Sequence, residues 1–467
     1  MKHTNLAIIG GGPAGLAAAH EACSRGLSVC LLDEQTSLGG QIYRNIEQVT
    51  ERLPRRAHVL GKDYQHGAEL IRLFRNSGAL YLGESLVWHI EAGHLWYLQQ
   101  GQVKTLEADR ILIATGAIER PVPLPGWTLP GVMTVGAAQI LLKSGGIIPA
   151  SDTILVGHGP LLFLFAQQLL AAGGTIKGIV ETVPSSRYLQ AMRHLPKALG
   201  SGYLSKGIAM MQTLRRGGIR FYRNAEDIRI EGTKEAERVS FRSGRSEHSL
   251  DASNIFLHEG VVPNTQLTRL VGCDHVWDDD QQCFKPVLDQ WGNTSVEGVL
   301  VAGDGAGIGG ALAAEEAGRL AALEVAHALG ALDRPTRDQH ARQPLARLRK
   351  QMDGRRFLQV LYAPSNALPR RSETIVCRCE EVTAGQVRSA VQIGGKGPNQ
   401  VKSYLRCGMG PCQGRMCGLT VSAIIADELG VSMQEVGYFR IRPPLKPVPL
   451  AAIAHANLPP DMQVPAA

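Results

Sequence analysis

The chain has 467 residues, 44% of them hydrophobic and 19% charged, with a formal net charge of +7. That length predicts two to three domains with ample apolar residues for their cores, and no apolar stretch reaches the roughly 18 uncharged residues that cross a bilayer. Five of the nine cysteines fall between Cys377 and Cys417, and with no signal for export this points to a metal site and not to a disulfide framework.

Leu6–Ile9 reads as a strand that runs straight into Gly10-Gly11-Gly12-Pro13-Ala14-Gly15 and then into a helix over Leu16–Ser24. This is the G-x-G-x-x-G pattern in its required setting, between a strand and a helix. Gly10 permits the tight turn, Gly12 lets the backbone approach a pyrophosphate, and Gly15 lets the helix lie close on the sheet. The helix N-terminus then offers free N–H groups to the phosphates. Gly26 stops the helix, Leu27–Leu32 is the second strand, and Asp33 closes it where an acid meets a ribose hydroxyl. Leu6–Ala19 has the apolar, small composition of a secretory signal, but no cleavage pattern follows it, so a cytoplasmic protein is expected.

Arg110–Ala114 is a buried strand ending in Thr115-Gly116. A second unit of the same kind follows: Thr153–Val156, then Gly157-His158-Gly159-Pro160-Leu161-Leu162, a helix to Ala172, and Thr175–Val180 with Glu181. Leu162 replaces the third glycine, which leaves this site as either an adenine-nucleotide or NAD(P) site or a fold that binds nothing. Gly298–Ala302 is a later strand ending in Gly303-Asp304, followed by a helix through Ala328. The boundaries that follow are 1–145 and 256–330 for the first unit, 146–255 for the inserted second, and 331–372 for a connector. The connector holds ten Arg or Lys against three Asp and no Glu, so its net of +7 equals that of the whole chain. A helical connector that doubles as a partner surface is expected there, and sparse aromatics argue against nucleic acid.

Residues 373–437 read as a small helical domain around Cys377-Arg378-Cys379 and Cys407, Cys412 and Cys417. Thr383-Ala-Gly-Gln386 is a capping box, and helices follow over Val401–Leu405 and Leu419–Leu429. The spacing C-x-C, a gap of 27, then C-x4-C supplies the four thiolates of a [2Fe–2S] cluster. Zinc is the other metal for such a set, but its paired C-x2-C knuckles are absent. Cys407-x4-Cys412 and Cys412-x4-Cys417 have identical spacing, so the fourth ligand stays open on spacing alone. Residues 438–467 form a proline-rich tail, extended where the prolines cluster.

The order of these units resembles the two-dinucleotide flavoproteins, an α/β, Rossmann-like fold, to about residue 330. That resemblance implies FAD in the first unit. It places Leu38-Gly39-Gly40-Gln41 and Thr115-Gly116 near the flavin nucleotide, and sets Asp304 against the ribityl chain. Neither cysteine position used by the disulfide reductases of that group is filled, so a dithiol mechanism is not expected. The C-terminal module resembles the bacterioferritin-associated-ferredoxin type of [2Fe–2S] domain. Related modules imply Cys377, Cys379, Cys412 and Cys417 as ligands with Cys407 spare.

Gly39–Arg44, Gly157–Leu162 and Arg406–Gly418 together resemble the FAD/[2Fe–2S] alpha or A subunits of heteromeric amino-acid dehydrogenases. That group includes octopine and nopaline oxidases, D-hydroxyproline dehydrogenase and the middle subunit of hydrogen cyanide synthase. The resemblance implies an electron-transfer subunit of an enzyme for a secondary amino acid of D-hydroxyproline or opine type. Amine oxidation would occur in a partner subunit similar to D-amino-acid or glycine oxidase. The third member would be a small ferredoxin-like subunit, with peripheral membrane contact as an option. No catalytic residue is assigned in this chain. The competing expectations are a self-contained NAD(P)H-dependent flavin/iron–sulfur reductase and a non-enzymatic redox sensor or scaffold.

Overall fold

The computed structural model describes residues 2–364, 369–454 and 456. Six strands, β1 (Lys2–Ile9), β2 (Val29–Leu32), β3 (Leu80–Leu82), β4 (Leu86–Glu91), β5 (His94–Gln99) and β6 (Gln102–Ile113), make one sheet with the late strand Val299–Val301. β1 is central, parallel to both β2 and β6, and Val299–Val301 adds to the far side of β6 over Ile111–Ile113. β1 is covered on both faces, which is why Leu6–Ile9 is a continuous apolar run instead of an alternating one. Helix α1 (Pro13–Ser24) packs on this sheet beside the helix Ala311–Ala328. The two meet backbone to backbone: a Cβ at Gly318 would overlap the main chain of Ala14. A chain that leaves for about 185 residues therefore returns to the same core.

The second sheet has the order Arg220–Tyr222, Ile176–Glu181, Thr153–His158, Asn254–Glu259, Val132–Thr134, all parallel. Its membership corrects the 146–255 boundary, since Val132–Thr134 and the whole of Asn254–Glu259 belong to it. A three-residue edge strand carries no period of its own and is recruited only by pairing. Leu162, in place of the third glycine, is fully buried among Phe165, Leu169 and Leu155, so it serves as core filler.

The connector forms one helix, Arg334–Leu361, that keeps Pro344 inside it. Much of its basicity is met within the chain: Arg337 pairs with Glu324 and Asp338, Arg347 with Glu316, and Arg356 with Asp280. Residues 365–368 of the connector lie outside the described residues.

The cysteine domain opens with the hairpin Ile375–Cys377 and Val382–Thr383, then the helices Ala384–Gln392, Pro398–Leu405 and Gly418–Leu429. Both halves of the Thr383–Gln386 capping box are made. The domain does not end at 437. Phe439, Ile441 and Leu445 are buried in it, and the Phe439 ring lies where side chains on Gly408 and Gly414 would stand. The Leu445 N–H donates to Trp88 O (2.9 Å) and Lys446 pairs with Glu34, which straps the domain to the first sheet. The tail beyond 456 lies outside the described residues.

His275 marks an acid-sensitive point in this scaffold. Its ring sits between Thr268 Oγ1 (2.9 Å) and Cys273 O (2.8 Å), and burial together with the Arg269 charge depresses its pKa to about 4. An unfolded histidine titrates near 6.5. Between these values the unfolded chain binds the extra proton, so stability falls as pH drops from about 6.5 towards 4. The full loss is on the order of 3 kcal/mol. Thermal melts between pH 7 and 4.5 should show a flatter acid limb for His275→Gln; an unchanged limb would assign the acid sensitivity elsewhere.

Candidate functional site

The first glycine turn lies at the carboxyl end of β1. Gly10 has φ +112°, and a Cβ there would press on the Ala114 backbone. Gly15 is equally closed, since its Cβ would overlap the Gly10 carbonyl oxygen. Gly12 differs: its nearest neighbour would be Gly40 Cα at 3.9 Å, so it borders open space as the N-cap of α1, with no side chain capping the helix N–H groups. Gly40 (φ +60°) faces it across the groove. Asp33 is buried and accepts from Gly11 N–H (2.5 Å) and Gln35 N–H (2.7 Å); burial raises its pKa against the pull of those two bonds.

Gln41 accepts at its side chain from Arg44 (2.8 Å) and at its carbonyl from the buried Lys143 (3.1 Å). Lys143 meets neutral oxygens from Gln41 and Gln139, and burial depresses its pKa to about 7. Its place beside the Gly40–Gln41 turn had no local signal in the sequence. Thr115 Oγ1 is buried without a hydrogen-bond partner, and a Cβ on Gly116 (φ +65°) would meet nothing within 4 Å. Gly303 (φ +80°) lies against Ala14, and Asp304 Oδ1 accepts from Gly309 N–H (2.9 Å) and Gly310 N–H (2.8 Å) at the start of the helix Ala311–Ala328. All ten predicted first-unit residues thus gather along one edge of one sheet. An open glycine cradle, an uncapped helix N-terminus and an orphaned Thr115 hydroxyl fit a flavin dinucleotide.

The second turn does not fit a dinucleotide in the usual pose. Gly157 (φ +125°) and Gly159 (φ +106°) keep the bend, but the His158 ring is pinned inside it. His158 Nε2 meets Tyr362 O (3.1 Å) at the end of the connector helix, the two rings stack at 6.0 Å, and Nδ1 pairs with Glu259 (3.0 Å). The acid at the ribose position, Glu181, is also engaged: it accepts from Tyr188 Oη (3.1 Å) and has Arg223 at 3.7 Å. Phosphate and ribose positions are both taken by the chain's own groups.

The cysteines assemble as two pairs. Cys377 and Cys417 share a thiol hydrogen bond, which holds Cys377 down near 6, helped by N–H groups of Gly408, Glu380 and Cys379. Cys379 and Cys412 share another. Cys407 is fully buried behind them, pushed up to about 12 by burial. Among the described residues no three His, Cys, Asp or Glu side chains converge on a single ion. Four thiolates set as two pairs are a donor set that a two-iron cluster can take, two cysteines to each iron. Two residues beside it escaped the motif reading. Arg415 donates to Cys412 O (3.0 Å) and leans on Leu445 O, and Tyr438 Oη donates to Gly414 O (3.2 Å).

Residues 4–330 match the family described as pyridine nucleotide-disulphide oxidoreductase, and residues 371–457 match the sarcosine oxidase A3 domain. Over 97% of its length the chain is 44% identical to the A subunit of opine oxidase from Agrobacterium tumefaciens (strain Ach5), covering 91% of that protein. The chain belongs to the opine oxidase family of oxidoreductase subunits. The same relationship extends to hydrogen cyanide synthase subunit HcnB of Pseudomonas aeruginosa, 33% identical over 95% of this chain and 97% of that one. In fold, this member of the opine oxidase family is similar to L-proline dehydrogenase from P. horikoshii, with a TM-score of 0.71 at 19% identity, covering 97% of this chain and 80% of that one. No described helix is long and apolar enough to cross a membrane.

Proposed function

We propose that this chain is the FAD- and [2Fe–2S]-carrying electron-transfer subunit of a heteromeric amino-acid dehydrogenase whose partner subunit breaks the amine C–H bond. The observation that carries the proposal is the direct seam between the flavin cradle and the paired cysteines. Asn264, whose N–H donates to Gly116 O (2.9 Å), shares a small cavity with Arg415 and Tyr438. The Arg269 guanidinium lies over the rings of Tyr438 (4.5 Å) and Phe284 (4.9 Å), tying the first unit to the cysteine domain. FAD, when bound, takes an electron pair and releases it singly, as a one-electron cluster requires.

The chain's own residues hold and orient. Gly12 and Gly40 admit the pyrophosphate, Asp33 and Asp304 receive hydroxyls, and the buried Cys377–Cys417 pair keeps water from the metal edge. A secondary amino acid is the substrate class, the opine type favoured by the name of the opine oxidase relatives and the D-hydroxyproline type by the sequence resemblance. The partners are a flavoprotein similar to D-amino-acid or glycine oxidase and a small ferredoxin-like subunit. The occupied second turn weighs against a self-contained NAD(P)H reductase, and the flavin cradle against a mere scaffold.

The test is anaerobic purification of the chain, assay of flavin and iron, and titration with NADH and NADPH. Flavin and cluster bands should stay oxidised, then bleach when octopine or D-hydroxyproline is added together with the partner subunit. Bleaching by NADH alone would make the chain a reductase, and a chain with neither flavin nor iron would be the scaffold.

A further inference from the structure

Residues 182–225 hold eight Arg or Lys and no Asp or Glu. This stretch leaves the second sheet and forms three helices, Ser185–Met192, Leu195–Leu199 and Tyr203–Arg216. The first two pack on the connector helix, and the third packs on the second. Ala191 lies with Leu361 and Phe357 of the connector, and Ala198 is likewise fully buried. Arg193 and His194, between the first two helices, keep αR backbone angles, so the helical period runs on across the gap. At about 100° per residue, Ala191 and Ala198 then share the inward side, while Leu189, Met192 and Leu199 fall together away from it.

That outer side is bare. Leu189 is 80% exposed, Leu199 69% and Met192 53%, and Ile208 of the third helix is 58% exposed. Single exposed aliphatics are ordinary, but several grouped on one helical side mark an interaction surface. Arg193 and Lys197 flank the aliphatic side on the same turns, and both are exposed. Three of the eight cations have acidic partners elsewhere in the chain: Lys197 with Asp353 (3.2 Å), Lys206 with Asp63 (2.8 Å) and Arg223 with Glu181 (3.7 Å). The first two are pairs of exposed side chains, which bind weakly and leave the cations free to exchange partners. Arg187 and Arg193 reach only neutral oxygens of Gln190. The layer therefore presents uncompensated positive charge beside exposed aliphatic side chains.

Helices of eight and five residues are too short to span a bilayer and can only lie along it. Cations beside aliphatic side chains, with no acid among them, suit a fluid, negatively charged surface that needs no matched shape. We propose that this layer docks on an anionic lipid surface. Leu189, Met192 and Leu199 enter the boundary between head groups and acyl chains, and Arg193 and Lys197 reach up to the lipid phosphates. The inference goes beyond the proposed function and needs neither flavin nor cluster.

The experiment is flotation of the full chain with vesicles of phosphatidylcholine mixed with phosphatidylglycerol, against vesicles of phosphatidylcholine alone. Binding should be confined to the anionic vesicles and fall at least about tenfold when salt screens the surface. Leu189→Asn with Leu199→Asn should weaken it about a hundredfold, and Arg193→Gln with Lys197→Gln about thirtyfold. All four side chains are exposed, so both double variants should melt as the wild type does. Arg440→Gln, at an exposed position in the cysteine domain, should leave binding unchanged. Absence of flotation would overturn the inference and leave the face to an acidic protein. Equal binding to both kinds of vesicle, full binding by the leucine variant, or equal loss in Arg440→Gln would overturn it as well. Purified chain lacking flavin and iron would defeat the functional reading instead, and the flotation result would still be read on its own.

Discussion

Replacing Cys417 by serine is expected to strip the cysteine domain of its cluster and cut electron flow from amino acid to a dye acceptor at least about a hundredfold. Cys407→Ala should leave both in place. The two cysteines are equally spaced from Cys412 in sequence, so only their positions in the fold separate them. Both are fully buried, but Cys417 shares a hydrogen bond with Cys377, while the interactions of Cys407 with Cys377 are only electrostatic. Removing the Cys407 sulfur leaves a small cavity and costs roughly 1–2 kcal/mol. Iron per chain and the visible spectrum decide the matter: about two irons retained in Cys407→Ala and almost none in Cys417→Ser. The reverse result would assign Cys377, Cys379, Cys407 and Cys412 as the ligand set.

Two glycines of one turn should fail in opposite ways. Gly15→Ala is expected to cost more than about 4 kcal/mol, because its Cβ would overlap the Gly10 carbonyl oxygen and force α1 off the sheet. Flavin would be lost with the fold. Gly12→Ala should fold almost normally, since its backbone (φ −82°) suits any residue and the new methyl meets no atom closer than 3.9 Å. That methyl would stand where the pyrophosphate approaches, so FAD affinity should fall about a hundredfold or more. The ratio of flavin to protein absorbance, read beside a thermal melt, separates the two. A Gly12→Ala chain that still purifies yellow would mean that the dinucleotide does not lie across this turn.

The parts of the chain legible from sequence are those whose cause is local. Gly10 takes a backbone angle that a side chain resists, so the turn after β1 announces itself. The Thr383–Gln386 box caps its own helix three residues on, and Cys377 and Cys379 share one hairpin. The family resemblance carried by Gly39–Arg44 and Arg406–Gly418 is legible for the same reason, because it rests on short contiguous segments.

Contacts between distant segments decided the rest. The second sheet reaches outside 146–255 because Val132–Thr134 is a strand only through its partner Asn254–Glu259, more than a hundred residues on. The glycine turn at Gly157 and Gly159 reads as a nucleotide site until Tyr362 arrives from the connector helix to hold His158. Lys143 beside Gln41, Arg415 under Leu445, and Phe439 over Gly408 and Gly414 have no spacing that foretells them. The sequence by itself determined the glycine turn after β1 and the cysteine-rich segment, through backbone angles and sulfur count, which are properties of a few adjacent residues. The tertiary structure alone decided how the cysteines pair, which turn stays open and that the flavin cradle and the paired cysteines share a seam, because each depends on packing between segments that only the folded core brings together.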